Sequence, residues 1–337
     1  MCKVSIIMPL YNAEKYVEKA IRSILNQSFN DFELIVINDG SIDNSCNIVS
    51  TFNDDRLKFF NNDRNRGIAY TRNRAIELAS GEYIAIMDDD DIAPLNRLAC
   101  EVKYLDEHPD IIAVCGNACR IDENDNDLNE LWRVCRSPKR INALFLFGDP
   151  VPNSSAMVRR KIIIDNDIRF RENMHGIEDY RFWSEVSLRG LIGSIDEIML
   201  YNRLNHGSES GVQNTPENQK LRRIEFYNTK DILFSHYGVH FKHKEREKLY
   251  DTFSECRTTA SFSELVTVFP IIIKIAKQTF SCSISREIRQ VCYMIYFSTV
   301  INSIKTKVTG RKKLWYEYRN RKNVVPDKLK DDFEKLK

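Results

Sequence analysis

Short apolar runs alternate with amphipathic stretches along the first hundred residues. The apolar runs have the length of buried strands and lie at residues 4–8, 34–37, 57–60 and 83–87. Apolar residues with helical spacing lie near or between these runs, at residues 13–27, 43–51 and 68–79. This alternation predicts an α/β fold, with a mostly parallel central sheet flanked by helices. Asn12 is predicted to cap the first helix, with Glu14 in its first turn.

Three of the predicted strands end in residues that carry chemistry. Tyr11 and Asn12 come after the first strand, Asp39 comes after the second, and the acid run from Asp88 to Asp91 comes after the fourth. Open parallel sheets bind their ligands at the carboxyl ends of the strands. The functional site is therefore expected on the rim where these strands end.

The acid run consists of four successive carboxylates directly after a buried strand. They repel one another, so a fold retains them at low cost where a positive charge lies among them. A divalent cation that prefers oxygen ligands fits, and it completes its shell with waters and substrate phosphates. Period-two alternation points Asp88 and Asp90 the same way, and Asp90 is predicted to bind the metal. A solvated loop is the alternative, although the chain returns to order at Pro94.

The hydropathy pattern changes along the rest of the chain. Between residues 96 and 215 it is mixed, and the predicted elements are helices at 96–108 and 179–188, strands at 111–115 and 198–201, and a polar loop at 122–129. The pattern from residue 216 onward is helical, which places a boundary near Thr215. The predicted regions are 1–100, 101–215 and 216–337.

Composition excludes several classes of protein. The 337 residues carry a net charge of +2, which gives no overall affinity for nucleic acid. The nine cysteines are odd in number and irregularly spaced, which favours reduced thiols over a disulfide framework. Cys115 and Cys119 could form half of a zinc site, but no second pair has ligand spacing. We find no signal-peptide pattern and no run of about 18 uncharged apolar residues, so a cytoplasmic protein is expected.

Basic residues concentrate near the carboxyl end. Apolar helical patterns at residues 265–280 and 284–304 precede a basic segment from Lys305 to Lys322, which only Glu317 opposes. A basic segment beside an amphipathic helix fits an anionic membrane surface, on which the protein would be peripheral at the inner face. A helical bundle with its basic face in water is the alternative.

Several candidate residues also have a purely structural interpretation. Asp39, next to a glycine, could accept the N–H of a uracil or bond a ribose, or it could cap a turn. Arg72, in a helix that opens at Gly67, could reach a nucleobase or phosphate, or it could be a surface arginine. Glu178 and Asp179 at a helix start favour the helix dipole without any catalysis.

Five motifs match one family in order and spacing. In this sequence they are Ser5-Ile-Ile-Met-Pro9-Leu-Tyr11-Asn12, Asn38-Asp39-Gly40-Ser41, Arg66-Gly67 with Arg72-Asn73, Asp88-Asp89-Asp90-Asp91, and Glu178-Asp179. Each motif alone is common, whereas five in the same order are specific. The chain from residue 3 to about residue 206 resembles glycosyltransferase family 2.

The resemblance implies a GT-A fold with a C-terminal helical extension. It also implies inverting transfer of a sugar from a nucleotide-sugar donor, with UDP favoured, to a saccharide or lipid-linked saccharide acceptor. Residues 1–100 then form the donor half of the catalytic domain and residues 101–215 the acceptor half. The residues implied at the donor are Pro9, Leu10, Tyr11, Asn12, Glu14, Asp39, Gly67, Arg72, Asp88 and Asp89.

The resemblance also assigns catalytic roles. It implies that Asp179 is the general base, with Glu178 beside it, since inversion needs one carboxylate to take the acceptor proton. It further implies that Asp90, Asp88 and His206 bind Mn²⁺ or Mg²⁺, which stabilises the leaving diphosphate.

The resemblance also concerns the acceptor side and one further histidine. Trp183 and Asn153 are implied on the acceptor side. The family often has an arginine followed two residues later by a histidine, whereas Arg203 and His206 are three apart here. A plain surface histidine is the alternative for His206.

The sequence argues against three other functions. A nucleotidyltransferase would carry a glycine-rich basic loop after the first strand, where this chain has Pro9-Leu-Tyr11-Asn12. A processive polysaccharide synthase would need spanning helices and a Gln-x-x-Arg-Trp signature, and the sequence contains neither. A non-catalytic nucleotide-sugar-binding protein of the same fold would not need the intact acidic residues.

Overall fold

A computed structural model describes residues 2–174, 176–204, 215–253, 262–279 and 282–306. The chain divides into two compact units, Met1–Tyr237 and Gly238–Lys337. The boundary predicted near Thr215 lies earlier in the chain and stays a prediction.

The first unit contains one sheet and the helices that flank it. Its strands are β1 (Val4–Leu10), β2 (Phe32–Asn38), β3 (Leu57–Asn61), β4 (Tyr83–Ile86), β5 (Ile111–Ile121), β6 (Asp127–Trp132), β7 (Ala156–Arg159) and β8 (Leu191–Arg203). Its helices are α1 (Val17–Leu25), α2 (Ser45–Ser50), α3 (Ile68–Leu78), α4 (Arg97–Glu107), α5 (Pro138–Leu144), α6 (Arg160–Asp165), α7 (Glu178–Ser187) and α8 (Pro216–His236). A 3-10 turn at Asn153–Ser155 precedes β7.

The sheet has the order β3-β2-β1-β4-β7-β5-β6, and β8 pairs with β5. Strands β3, β2, β1 and β4 are mutually parallel, and β8 is parallel to β5. Strand β7 runs antiparallel between β4 and β5. The predicted α/β sheet with flanking helices is confirmed, and its carboxyl rim is formed by the ends of β1, β2, β3 and β4.

The core explains why the central strands are mostly apolar. All seven residues of β1 and all seven of β2 are buried. Helix α1 buries Val17, Ala20, Ile21 and Ile24 in the same core. Each fully buried aliphatic side chain of this kind contributes about 2 kcal/mol. The rim is therefore carried on a tightly packed support.

Two predicted elements differ from the structure. Strand β6 begins at Asp127, within the predicted loop at 122–129, and all of its residues are exposed. Strand β8 begins at Leu191, whereas its predicted start is residue 198. Both strands pair with β5, so tertiary pairing rather than a local pattern sets their extent.

The second unit is helical. Its described helices are α9 (His243–Thr252), α10 (Phe262–Gln278) and α11 (Ser285–Thr306). Tyr296 Oη donates to the Leu265 carbonyl over 3.2 Å, which joins α11 to α10. In the part of the chain that the structure covers, we find no helix with the length and apolarity needed to traverse a bilayer. The basic side chains from Lys305 onward lie outside the described residues.

Candidate active site

The acid run starts at the rim, directly beside β1. Strand β4 ends at Ile86, and the next residue, Met87, still donates its N–H to the Ile7 carbonyl over 3.1 Å. Both residues are buried among apolar side chains. Asp88 is therefore the first residue that emerges from the sheet at the carboxyl ends of β1 and β4.

Asp88 is held by two side chains from different elements. Arg72 Nη2, on α3, donates to Asp88 Oδ1 over 2.7 Å, and Ser154 Oγ, in the 3-10 turn, donates to Asp88 Oδ2 over 2.6 Å. The Arg72 side chain is only 3% exposed. Both oxygens of Asp88 are thus oriented, and the buried guanidinium of Arg72 compensates its charge.

The same arginine reaches a second acidic motif. Arg72 Nη1 donates to Glu178 Oε1 over 3.2 Å, and the guanidinium lies 5.1 Å from the Phe170 ring centroid. Glu178 is the first residue of α7. The acid run and the Glu178-Asp179 motif, which are about ninety residues apart in sequence, therefore belong to one cluster.

Two other carboxylates of the run face the protein. Asp89 Oδ2 accepts the N–H of Tyr11 over 2.9 Å, and Asp91 accepts the N–H of Arg203 over 2.8 Å. Burial, together with the neighbouring charge of Asp90, raises the pKa of the Asp89 and Asp91 carboxyls well above the usual range. The buried carboxyls of Asp89 and Asp91 are therefore harder to ionise than exposed carboxyls.

Asp39 organises the loop that precedes α3. Its Oδ1 accepts Asn62 Nδ2 over 2.6 Å and the N–H of Arg66 over 2.8 Å, while its Oδ2 accepts the N–H of Gly67 over 2.8 Å. Gly67 has a φ of 89°, a conformation that favours glycine. The Asp39 carboxylate is 3% exposed. Its predicted contact with the donor stays a prediction.

Asn12 does not cap α1 and Glu14 does not lie in its first turn, so both predictions are wrong. Helix α1 begins at Val17, and Asn12 has a φ of 50°. Its Oδ1 accepts the N–H of Ile42 over 2.9 Å, and Glu14 Oε2 accepts the N–H of Asn44 over 2.9 Å. These two side chains join the loop after β1 to the loop before α2, which fixes one wall of the rim.

The other predicted donor residues at the end of β1 differ in how exposed they are. Pro9 and Leu10 are buried within the strand. Tyr11 is 48% exposed, so its ring lies at the surface of the rim. The structure thus leaves Tyr11 as the accessible side chain of this group.

The two predicted acceptor-side residues contact each other. Trp183 Nε1 donates to Asn153 Oδ1 over 3.0 Å, and the Trp183 ring is fully buried. This bond joins α7 to the 3-10 turn that also holds Ser154. Asp179, the predicted base, is half-buried in the first turn of α7, where its Oδ1 accepts the N–H of Tyr180 over 2.7 Å.

The chemistry of the acid run fits a hard divalent cation, because its candidate ligands are carboxylate oxygens. Among the described residues, no group of three or more His, Cys, Asp or Glu side chains is spaced to hold a metal. Asp88 is paired with Arg72, and His206 lies outside the described residues. The assignment of Asp90, Asp88 and His206 as metal ligands stays a prediction.

The contacts that support the acid run are not predicted by the sequence, although Arg203 itself belongs to the pattern with His206. Ser154 orients Asp88, and Asn202 Nδ2 donates to Asp91 Oδ1 over 3.1 Å. Arg203 Nε donates to the Asp90 carbonyl over 2.7 Å. These contacts join segments 66 to 113 residues apart, and no local pattern encodes them.

The chain is similar in sequence to known glycosyltransferases. The model of the family "Glycosyl transferase family 2" matches residues 5–166. An uncharacterized glycosyltransferase of Haemophilus influenzae is 31% identical over 230 residues, which are 66% of this chain and 71% of that protein.

Two further proteins are similar over different extents. The UDP-Glc:alpha-D-GlcNAc-diphosphoundecaprenol beta-1,3-glucosyltransferase WfgD of Escherichia coli is 42% identical over 102 residues, 30% of this chain and 40% of that protein. The crystal structure of S. aureus TarS 1-349 in complex with UDP-GlcNAc superposes with a TM-score of 0.60, 20% identity and 92% coverage of both chains. This likeness confirms the predicted GT-A fold.

Proposed function

Since the chain belongs to glycosyltransferase family 2, we propose that it is an inverting enzyme for surface polysaccharide synthesis. The donor is a nucleotide sugar, most simply a UDP-sugar, and the acceptor is a saccharide or lipid-linked saccharide. WfgD, by its name, uses UDP-glucose and a diphosphoundecaprenol-linked acceptor, and TarS was crystallised with UDP-GlcNAc. The similarity to both proteins supports this choice of substrates.

One observation carries the proposal. Arg72 bridges Asp88 and Glu178, so the run proposed to face the donor and the motif proposed to activate the acceptor form one cluster. Transfer requires the donor anomeric carbon and the acceptor hydroxyl to meet in near-attack geometry. A buried, two-sided ion pair is a rigid way to fix the distance between the two motifs.

The proposed reaction is a single displacement. The acceptor hydroxyl attacks the anomeric carbon, Asp179 takes the hydroxyl proton, and the bond to the diphosphate oxygen breaks. Attack from the face opposite the leaving group inverts the configuration. Glu178 holds Arg72 and thereby fixes the first turn of α7, which carries Asp179.

Mn²⁺ or Mg²⁺ is part of the proposal. Asp90 would hold it, with Asp88 close by, and the ion would supply Lewis-acid stabilisation of the departing diphosphate. Arg72 Nε is buried and has no hydrogen-bond partner among the described residues. A donor oxygen could satisfy this N–H. His206 stays a predicted ligand.

The acceptor side and the location complete the proposal. Asn153, which the buried Trp183 holds in place, lies next to the acceptor, and Tyr11, Asp39 and Gly67 form the nucleoside pocket. For a lipid-linked acceptor, the enzyme would work at the inner face of the membrane, with the basic segment from Lys305 against anionic lipid.

A thermal-shift screen of the full chain tests the proposal. UDP-glucose and UDP-GlcNAc, with and without Mn²⁺, are compared with GDP-mannose as the control nucleotide sugar. A UDP-sugar should raise the Tm most when Mn²⁺ is present, because ligands that bind only the folded state stabilise it. The Asp90→Asn variant should lose the Mn²⁺-dependent part of the shift. If no UDP-sugar raises the Tm in the presence of Mn²⁺, the proposed donor is wrong.

A further inference from the structure

The Arg203 side chain, at the end of β8, contacts three separate segments. Its Nε donates to the Asp90 carbonyl over 2.7 Å, and its Nη1 donates to the Asp122 carbonyl over 2.8 Å. Its Nη2 lies 2.6 Å from Asp125 Oδ1. The guanidinium is 4.6 Å from the Tyr16 ring centroid, and the side chain is fully buried. Arg203 therefore lies behind the acid run and contacts its backbone.

The backbone of the same strand end reinforces this contact. Ile92 and Tyr201 exchange two hydrogen bonds, with N–O distances of 3.0 and 2.9 Å. The N–H of Arg203 and the amide of Asn202 both bind the Asp91 carboxylate. Residues 90–92 are thus fixed to residues 201–203 along their length, while Asp88 is fixed separately by Arg72.

The charge of Arg203 is balanced on the side away from the run. Asp125 pairs with Arg203 and also with Lys19 on α1. The Arg203–Asp125 contact is close but not aligned as a hydrogen bond, so it is mainly electrostatic. Asp125 has a φ of 70°, which holds its turn in a conformation that aspartate and asparagine tolerate. The turn at 122–126 is thereby pinned between α1 and β8.

A buried arginine in this position is difficult to explain by stability alone. Burying a guanidinium against two carbonyls and one partly exposed carboxylate is often no more stable than apolar packing of the same volume. The planar fork of arginine can, however, donate to two carbonyls while it pairs with a carboxylate, whereas the lysine ammonium offers its three donors from one point on a flexible stem. The contacts made by Arg203 fix the direction of the Asp90 peptide, from which the Asp90 carboxylate extends.

We propose that Arg203 is a positioning residue for Asp90. It holds the peptide of Asp90 and thereby sets the position from which the carboxylate reaches a divalent cation and the donor diphosphate. This inference rests on the proposed function. Residues behind a metal ligand typically change metal affinity or activity by about 10- to 100-fold when they are substituted.

The test compares two arginines that hold backbone carbonyls, of which Arg203 is buried and Arg159 is half-buried. Arg203→Lys is the test variant, and Arg159→Lys is the matched control. Arg159 Nε donates to the Ile111 carbonyl over 2.9 Å and its Nη2 to the Leu105 carbonyl over 2.7 Å, at the opposite end of β4 from the acid run. Calorimetric titration with UDP, with and without Mn²⁺, is the readout, together with the Tm of each ligand-free protein.

Arg203→Lys should weaken Mn²⁺-dependent UDP binding about tenfold or more and leave the metal-free affinity for UDP within about twofold. Arg159→Lys should lower the Tm and leave both affinities unchanged. If Arg203→Lys does not fold, Asp125→Asn replaces it. Asparagine keeps the backbone conformation and removes the charge that orients Arg203. We therefore expect a smaller loss of Mn²⁺-dependent UDP affinity than in Arg203→Lys.

Three outcomes would overturn the inference. The first is wild-type affinity in both Arg203→Lys and Asp125→Asn. The second is an equal loss of affinity with and without Mn²⁺, which would indicate a general structural role. The third is UDP binding by the wild type that does not respond to Mn²⁺, which would first reject the proposed role of the cation.

Discussion

Arg72 and Glu178 form an ion pair across the candidate site, with Nη1 and Oε1 3.2 Å apart. The arginine is 3% exposed and the glutamate 14% exposed, so water screens the pair weakly. Because Arg72 also binds Asp88, one side chain compensates two carboxylates that come from different parts of the chain. Removing it would leave both carboxylates uncompensated.

Arg72→Met should therefore destabilise the protein by about 3 kcal/mol, because breaking a buried pair leaves an unpaired charge. Urea unfolding measures the loss. Arg74→Met is the control on the same helix, since Arg74 donates to the Asn61 carbonyl and to Asn62 Oδ1. It should cost about 1 kcal/mol. Equal losses in the two variants would show that the charges around Arg72 are compensated in another way.

Asp179→Asn should lower kcat on the order of 10²-fold or more while donor affinity stays nearly unchanged. The amide keeps the size of the side chain but cannot take the acceptor proton. Product formation and nucleotide titration measure the two effects separately. Asp165→Asn, at an exposed Lys161 pair on α6, is the control and should behave as the wild type. Full turnover by Asp179→Asn would show that Asp179 is not the general base.

Arg97→Met should cost about 3 kcal/mol, because Arg97 and Glu101 form an ion pair in which both side chains are fully buried. Their N and O atoms are 3.1 Å apart, and Arg97 also donates to the Ile86 carbonyl over 2.8 Å. Chemical unfolding compares this single variant with the double variant Arg97→Met/Glu101→Leu. The double variant should recover most of the loss, and a double variant as unstable as the single one would contradict an electrostatic origin.

Glu33 should make stability depend on pH at the acid end. Burial alone would raise the pKa of Glu33, but hydrogen bonds from Lys58, Ser5 and Ser80 outweigh it and lower the pKa to about 2. Since the ordinary value is 4.5, the stabilisation is complete above about pH 4.5 and is lost as the pH falls toward 2. The unfolding free energies of the wild type and of Glu33→Gln, measured from pH 6 to pH 2.5, should approach each other as the pH falls. Parallel curves would contradict the lowered pKa.

The parallel half of the sheet could be predicted because its signals are local. Strands β1, β2 and β4 each contain a run of mostly apolar residues, and the helices between them have apolar faces at helical spacing. Strand β6 could not be predicted, because every residue from Asp127 to Trp132 is exposed and the run has no alternation. Its position depends on pairing with β5.

The candidate site likewise contains residues that could be predicted from the sequence and residues that could not. Asp39, Asp88 and Tyr11 could be placed on one rim because strand ends in a parallel sheet point the same way. Asn12 could not be predicted correctly, because its partner Ile42 lies 30 residues away in another loop. The contact between Arg203 and the Asp90 carbonyl spans 113 residues. Long-range contacts of this kind are set by the packed fold.

The position of β7 has a consequence for how the protein is made. Strand β4 has β1 on one side, and its other side stays without a partner until residues Ala156–Arg159 have been synthesised. An open, apolar strand edge recruits strands from other chains. A nascent or truncated chain that ends before Ala156 is therefore expected to aggregate. Adding the missing segment as a separate fragment should restore solubility only if it completes the sheet.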